Sequence, residues 1–153
     1  MQLKPLILEI VKKCLALKDK TVGEPDAILS WVCIFAQDET SYVNMDAEAA
    51  SIGRVVDDTP SGKVYEIPPL DTPAGILHIL KIRKLDITRP ELGDCDFTLA
   101  DYTKFKHDYL GKPSFKLIER GNAEMIELME EGGDVRVYFS NPPVSYPLLL
   151  VQS

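Results

Sequence analysis

Two stretches of alternating residues carry the side chains that could do chemistry. In residues 94–99, Asp94, Asp96 and Thr98 alternate with Cys95, Phe97 and Leu99; in residues 135–139, Arg136 and Tyr138 alternate with Val135, Val137 and Phe139. Period-two alternation sends successive side chains to opposite faces of a strand, so each stretch has an apolar face to bury and a polar face left over. A carboxylate, a guanidinium and a phenol on that polar face, with Met125, Glu127 and Met129 on a neighbouring strand, suit a small organic ligand, anionic or of mixed polarity. The competing explanation is a solvated outer face whose cross-strand ion pairs are worth little.

The remaining reactive residues are sparse. His78 lies in ILHILKIRK with apolar neighbours on both sides. It reads as a hydrogen-bonded structural residue, or else as a ligand-binding group or base. His107 falls off the buried stripe of its helix and is expected at the surface. Lys81, Arg83, Lys84 and Arg89 form a basic cluster that marks a charged strand end or, with Arg136, attracts an acidic ligand. A metal would have to rest on His78, Asp94, Asp96 and Glu127, so no metal and no other cofactor is expected. No Gly-rich phosphate loop or G-x-S-x-G nucleophile turn occurs.

Positioning these side chains requires a particular run of elements. Leu3, Ile7, Ile10, Cys14 and Leu17 recur at helical spacing and predict an amphipathic helix over 3–18, with Pro5 in its first turn. Residues 27–37 are continuously apolar, rich in β-branched and aromatic types, and read as a central strand that offers Ser30, Trp31 and Cys33. A helix follows, capped at Asn44 or Asp46 and stopped at Gly53. Strands are expected at 54–57, at 63–68, and, after a proline-rich crossing, at 76–84. The order then repeats: a strand over 94–99, a helix capped by Asp101 with Tyr102, Phe105 and Tyr109 buried, and strands at 115–120, 124–129 and 135–139. Residues 148–151 are expected to dock on the body.

Composition narrows the class. The 153 residues carry a net charge of -7, which argues against phosphate-neutralising nucleic-acid binders. Three widely spaced cysteines predict neither a disulfide framework nor a zinc ribbon. The N-terminal apolar run contains Glu9, leads into Lys12 and Lys13, and is too short to span a bilayer. The expectation is a cytoplasmic protein, bound to neither membrane nor nucleic acid.

Two tandem units of strand, helix and three strands resemble the vicinal-oxygen-chelate superfamily of glyoxalase I, extradiol dioxygenases and bleomycin-resistance proteins. The resemblance is one of element order over residues 27–140. It implies an α+β domain over 1–153 in which two βαβββ modules, 27–84 and 93–140, form a curved mixed sheet around a cleft. The helix 3–18 precedes them, residues 85–92 link them, and a tail spans 141–153. Members that use metal take His and Glu from the first and fourth strand of each module; here those strands offer Ser30, Trp31 and Cys33, then His78, then Asp94 and Asp96, then Arg136 and Tyr138, which is not that ligand set. The resemblance implies a metal-independent small-molecule binder, with Trp31, His78, Asp96, Glu127, Arg136 and Tyr138 as ligand-binding residues. One alternative is a lyase or isomerase with His78 or Asp96 as base and Arg136 stabilising an oxyanion. The other is a homodimeric interaction module built on the N-terminal helix and the sheet edges.

Overall fold

A computed structural model describes residues 2–143. The expected tail residues 148–151 lie outside the described residues. Helix α1 (Leu3–Thr21) is followed by β1 (Ile28–Phe35), α2 (Glu39–Ile52), β2 (Arg54–Thr59), β3 (Gly62–Thr72) and β4 (Gly75–Arg83). The second unit is β5 (Gly93–Thr98), α3 (Tyr102–Tyr109), β6 (Phe115–Arg120), β7 (Ala123–Leu128) and β8 (Val135–Asn141). All eight strands form one mixed sheet in the order β2-β3-β4-β1-β5-β8-β7-β6. Read outward from the centre, each half runs first, fourth, third, second strand. The sheet is therefore two copies of one βαβββ module, with first strands parallel to fourth strands and β1 joined antiparallel to β5.

The helices cover one face. α1 buries Leu3, Ile7, Ile10, Val11, Cys14 and Leu17, the expected stripe plus Val11, and packs across β5, β8 and β1, over the join between modules. Burying each such side chain stabilises the fold by about 1.5–3 kcal/mol, so the stripe is consumed within the chain's own core. α3 inserts Phe105, whose ring centroid lies 4.5 Å from that of Phe139 on β8. Among the described residues no helix is long and apolar enough to cross a membrane.

Three local expectations need correction. α1 continues past residue 18, and the Thr21 hydroxyl donates back to the Leu17 carbonyl at 2.7 Å to close the last turn. α2 begins at Glu39, not near Asn44 or Asp46, because the Asp38 carboxylate accepts from the Ser41 amide at 2.7 Å. The first turn of α2 is polar, so its apolar pattern starts later than its backbone does. Finally, β3 runs on through Pro68 and Pro69, where a crossing was expected. Its pairing with β4 breaks between Glu66 and Leu70, since prolines donate no ladder bond, and resumes beyond them.

Candidate functional site

The face opposite the helices holds the chemistry. Strand register lines its side chains up in two rows. One row crosses Lys81, Cys33, Asp94 and Arg136 on β4, β1, β5 and β8. The next crosses Trp31, Asp96, Tyr138 and Glu127 on β1, β5, β8 and β7. Asp94 and Asp96 are thus neighbours on one face of the central strand β5, as their alternation with Cys95 and Phe97 demands.

A cavity of about 80 Å³ sits on this face. Module one lines it with Trp31, Cys33, Lys81 and Arg83; module two contributes Asp94, Asp96, Arg120, Met125 and Tyr138, and the linker adds Arg89. β4 and β6 stand five strand intervals apart in the sheet, about 24 Å if it were flat. Lys81 and Arg120, from those two strands, nevertheless border the same cavity. The sheet curls, and its concave side forms the cleft.

Most polar groups around the cavity are tied down. Tyr138 donates its hydroxyl to Glu127 Oε2 at 2.7 Å and accepts from Arg89 at 3.4 Å. Arg136 donates Nε to Glu91 at 2.6 Å and Nη2 to the Thr88 carbonyl at 2.9 Å, with Glu127 at 3.6 Å on its other side. Lys81 Nζ donates to Ser61 Oγ at 2.6 Å, and Ser140 donates to Asp96 Oδ2 at 2.5 Å. Among the described residues, three buried atoms of cavity-lining side chains have no partner: Asp94 Oδ1, Asp96 Oδ1 and Arg83 Nε. Buried polar atoms are nearly always paired, so three in one cavity wall mark a place where a ligand or water completes the set.

Burial sets the protonation states. Asp96, 1% exposed, is pushed up to about 8 by desolvation, against the Ser140 hydrogen bond and with a further push from Asp94. Desolvation raises Asp94 to about 7, opposed by Arg89, Arg83, Lys81 and Arg136. Burial lowers Lys81 and raises the Cys33 thiol well above its usual range, which leaves Cys33 a poor nucleophile. Tyr138 is held up to about 12, first by burial and then by its bond to Glu127.

Of the six expected ligand-binding residues, Trp31, Asp96 and Tyr138 line the cavity. Glu127 and Arg136 stand behind it, Glu127 holding Tyr138 and Arg136 held by Glu91. His78 is elsewhere: it borders a separate hollow with Ile52, Gly53, Arg54, Glu66, Pro68 and Pro69. That hollow is larger, about 370 Å³; its charges are an Arg54–Glu66 pair at 3.0 Å, with a single buried atom, Glu66 Oε2, outside that pair. Among the described residues no three His, Cys, Asp or Glu side chains converge as a metal site. His107 is exposed, beside Asp108. The basic cluster of Lys81, Arg83 and Arg89, expected to mark a charged strand end or to attract an acidic ligand with Arg136, borders the cavity, as does Arg120, for which no role was expected. The signal for the first two was present: Lys81 and Arg83 alternate with Leu80 and Ile82, which puts both on the face of Cys33 and Phe35.

No protein-family model and no curated protein matches the chain. Among solved structures it is similar to the structural-genomics protein EC4020, with a TM-score of 0.69 at 9% identity over 98% of this chain and 88% of that one. That likeness shows a shared fold. A glyoxalase/bleomycin resistance protein/dioxygenase superfamily member from Vibrio splendidus 12B01 aligns with a TM-score of 0.46 at 7% identity, over 74% of this chain and 97% of its own.

Proposed function

We propose that this protein binds a small organic acid in the cavity on the concave side of its sheet, with side chains and no metal holding the ligand's charge. The observation that carries this reading is the set of unpartnered buried atoms, Arg83 Nε, Asp94 Oδ1 and Asp96 Oδ1, on residues that line a cavity bordered by four cationic side chains. A solvated outer face would leave those atoms in water at no cost, whereas here they await an acceptor and a proton balance. Trp31 and Met125 offer apolar contact for the ligand's carbon atoms.

Calorimetric titration of the full chain with acetate, pyruvate and phosphate near neutral pH tests the reading. Acetate or pyruvate is expected to bind more tightly than phosphate, and Arg120→Gln to weaken that binding by about tenfold, the worth of one charge-assisted hydrogen bond. Arg120 is exposed at the end of edge strand β6, so the unfolding midpoint should stay in place. Failure of all three probes to bind, or an Arg120→Gln variant with wild-type affinity, would sink the proposal.

A second reading, a lyase or isomerase, draws support from Asp96, a buried carboxyl that titrates near neutrality at a cationic cavity. In this reading Lys81 or Arg83 would stabilise an oxyanion, because Arg136 is committed to Glu91 and His78 borders another hollow. Exchange of the methyl hydrogens of pyruvate in deuterated water, catalysed by wild type and lost in Asp96→Asn, is its expected signature. Without that exchange, binding alone remains.

A further inference from the structure

The cavity's surplus is one of donors. From β4 it receives Lys81 and Arg83, from β6 Arg120, and from the linker Arg89. From β1 come Trp31 and the protonated thiol of Cys33. Several of the other polar groups are engaged with one another. Tyr138 on β8 accepts from Arg89 and gives its own proton to Glu127 on β7. Arg136, in register with Asp94, turns its charge to Glu91 and Glu127. Ser140 donates to Asp96 Oδ2, which leaves Oδ1 as the oxygen outside that bond. Asp96 Oδ1 and Asp94 Oδ1 are both buried in the cavity wall without a partner.

We infer that Asp94 and Asp96 act on the ligand as neutral carboxylic-acid donors, so that the acid bound is one carrying an acceptor oxygen beside its carboxylate: a small 2-oxo monocarboxylate. This rests on the reading that the cavity holds a small acid, and it specifies which. The carboxylate takes the cations, and the 2-oxo oxygen accepts from a protonated Asp. An ionised Asp pair would instead repel the ligand and cancel two of the positive charges. Size agrees: a cavity of about 80 Å³ has room for about five to eight non-hydrogen atoms if each needs the space of one water-sized probe. Because desolvation holds these carboxyls protonated to about pH 7 and 8, a ligand that needs the protons binds with their uptake as pH rises.

The test is calorimetry on the full chain with three probes, pyruvate, propionate and inorganic phosphate, at pH 6 and at pH 9. Pyruvate and propionate both remain anions over that range, so the change reports on the protein. Pyruvate is expected to bind at pH 6 and to lose at least about tenfold in affinity by pH 9, with heats that vary with buffer ionisation as proton uptake requires. Propionate, lacking the oxo acceptor, should bind at least about tenfold more weakly at pH 6, the worth of one buried hydrogen bond. Asp96→Asn, whose amide can donate but not ionise, should keep pyruvate binding and lessen its pH dependence, the remainder being carried by Asp94; Asp96→Leu should lose it. Equal affinity for pyruvate and propionate, or pyruvate affinity that neither changes with pH nor takes up protons, overturns the inference while small-acid binding stands. Phosphate bound more tightly than pyruvate overturns the organic ligand class. If none of the three binds, the underlying binding reading fails instead. The difference between pyruvate and propionate in the wild type decides the matter even if a variant does not fold, because loss of the Lys81 proton would weaken both acids alike.

Discussion

Asp94 and Asp96 occupy the centre of a sheet, where a carboxylate is hardest to keep ionised. Among the described residues neither forms an ion pair, and Lys81, Arg83, Arg89 and Arg120 border the same cavity. The stability consequence has a definite sign. In the unfolded chain both ionise near pH 4, whereas in the fold they hold protons to about 7 and 8. Their contribution to stability is therefore complete below about pH 4 and is lost as pH rises through those two values. A double Asp94→Asn, Asp96→Asn variant should match wild type at pH 4 in its urea midpoint and exceed it at pH 9. The gain should be on the order of a few kcal/mol, since each tenfold change in a carboxyl's proton affinity is worth about 1.4 kcal/mol. Equal pH slopes for the two proteins would show that these carboxyls ionise normally. Arg136 and Tyr138, prominent in the sequence, serve a different purpose. Their bonds to Glu91, Thr88 and Glu127 brace the cavity wall.

At the scale of elements, polar residues set the boundaries and apolar residues set the packing. α2 shows the division. Its single fully buried residue is Ala49, so the helix start depends on the Asp38 carboxylate capping the Ser41 amide. Asp38→Ala should destabilise the protein by about 1 kcal/mol in denaturant titration, the usual worth of an N-cap, while Asn44→Ala should cost much less. If both cost the same, the helix starts where its apolar pattern does. β3 shows the other case, in which Pro68 and Pro69 interrupt a ladder without ending the strand.

The whole molecule depends on the join between modules. β1 and β5 meet there, with α1 packed across the opposite face. Gly93 sits at this join because nothing larger fits: a Cβ would lie 2.2 Å from the Cys33 carbonyl oxygen and 2.9 Å from Ile10 Cδ1. Gly93→Ala should cost about 1–3 kcal/mol, the usual range for overpacking, and weaken ligand binding, because Cys33 and Asp94 meet across the same register. Unchanged stability would show that the join can spread without penalty. The join also explains why the site spans both modules: only the curl of a continuous sheet brings Arg120 on β6 towards Lys81 on β4.

Local signals were enough to read the element types, their repeated order and the apolar face of each strand. Alternation and helical spacing act over a few residues, and every Asp94, Phe97, Phe105 or Val137 carries that information in its immediate neighbours. The same periodicity separated Asp96 and Tyr138 from the core. It was silent on distance between strands far apart in the chain. That is why His78 entered the expected site and Arg120 did not: each was judged by neighbours in sequence, while membership of the cavity depends on strand order and curl. The protonation of Asp94 and Asp96 was equally out of reach, because desolvation is a property of the closed fold. Sequence determined which residues face away from the helices; tertiary structure decided which of them share a cavity, and which of those are left without partners.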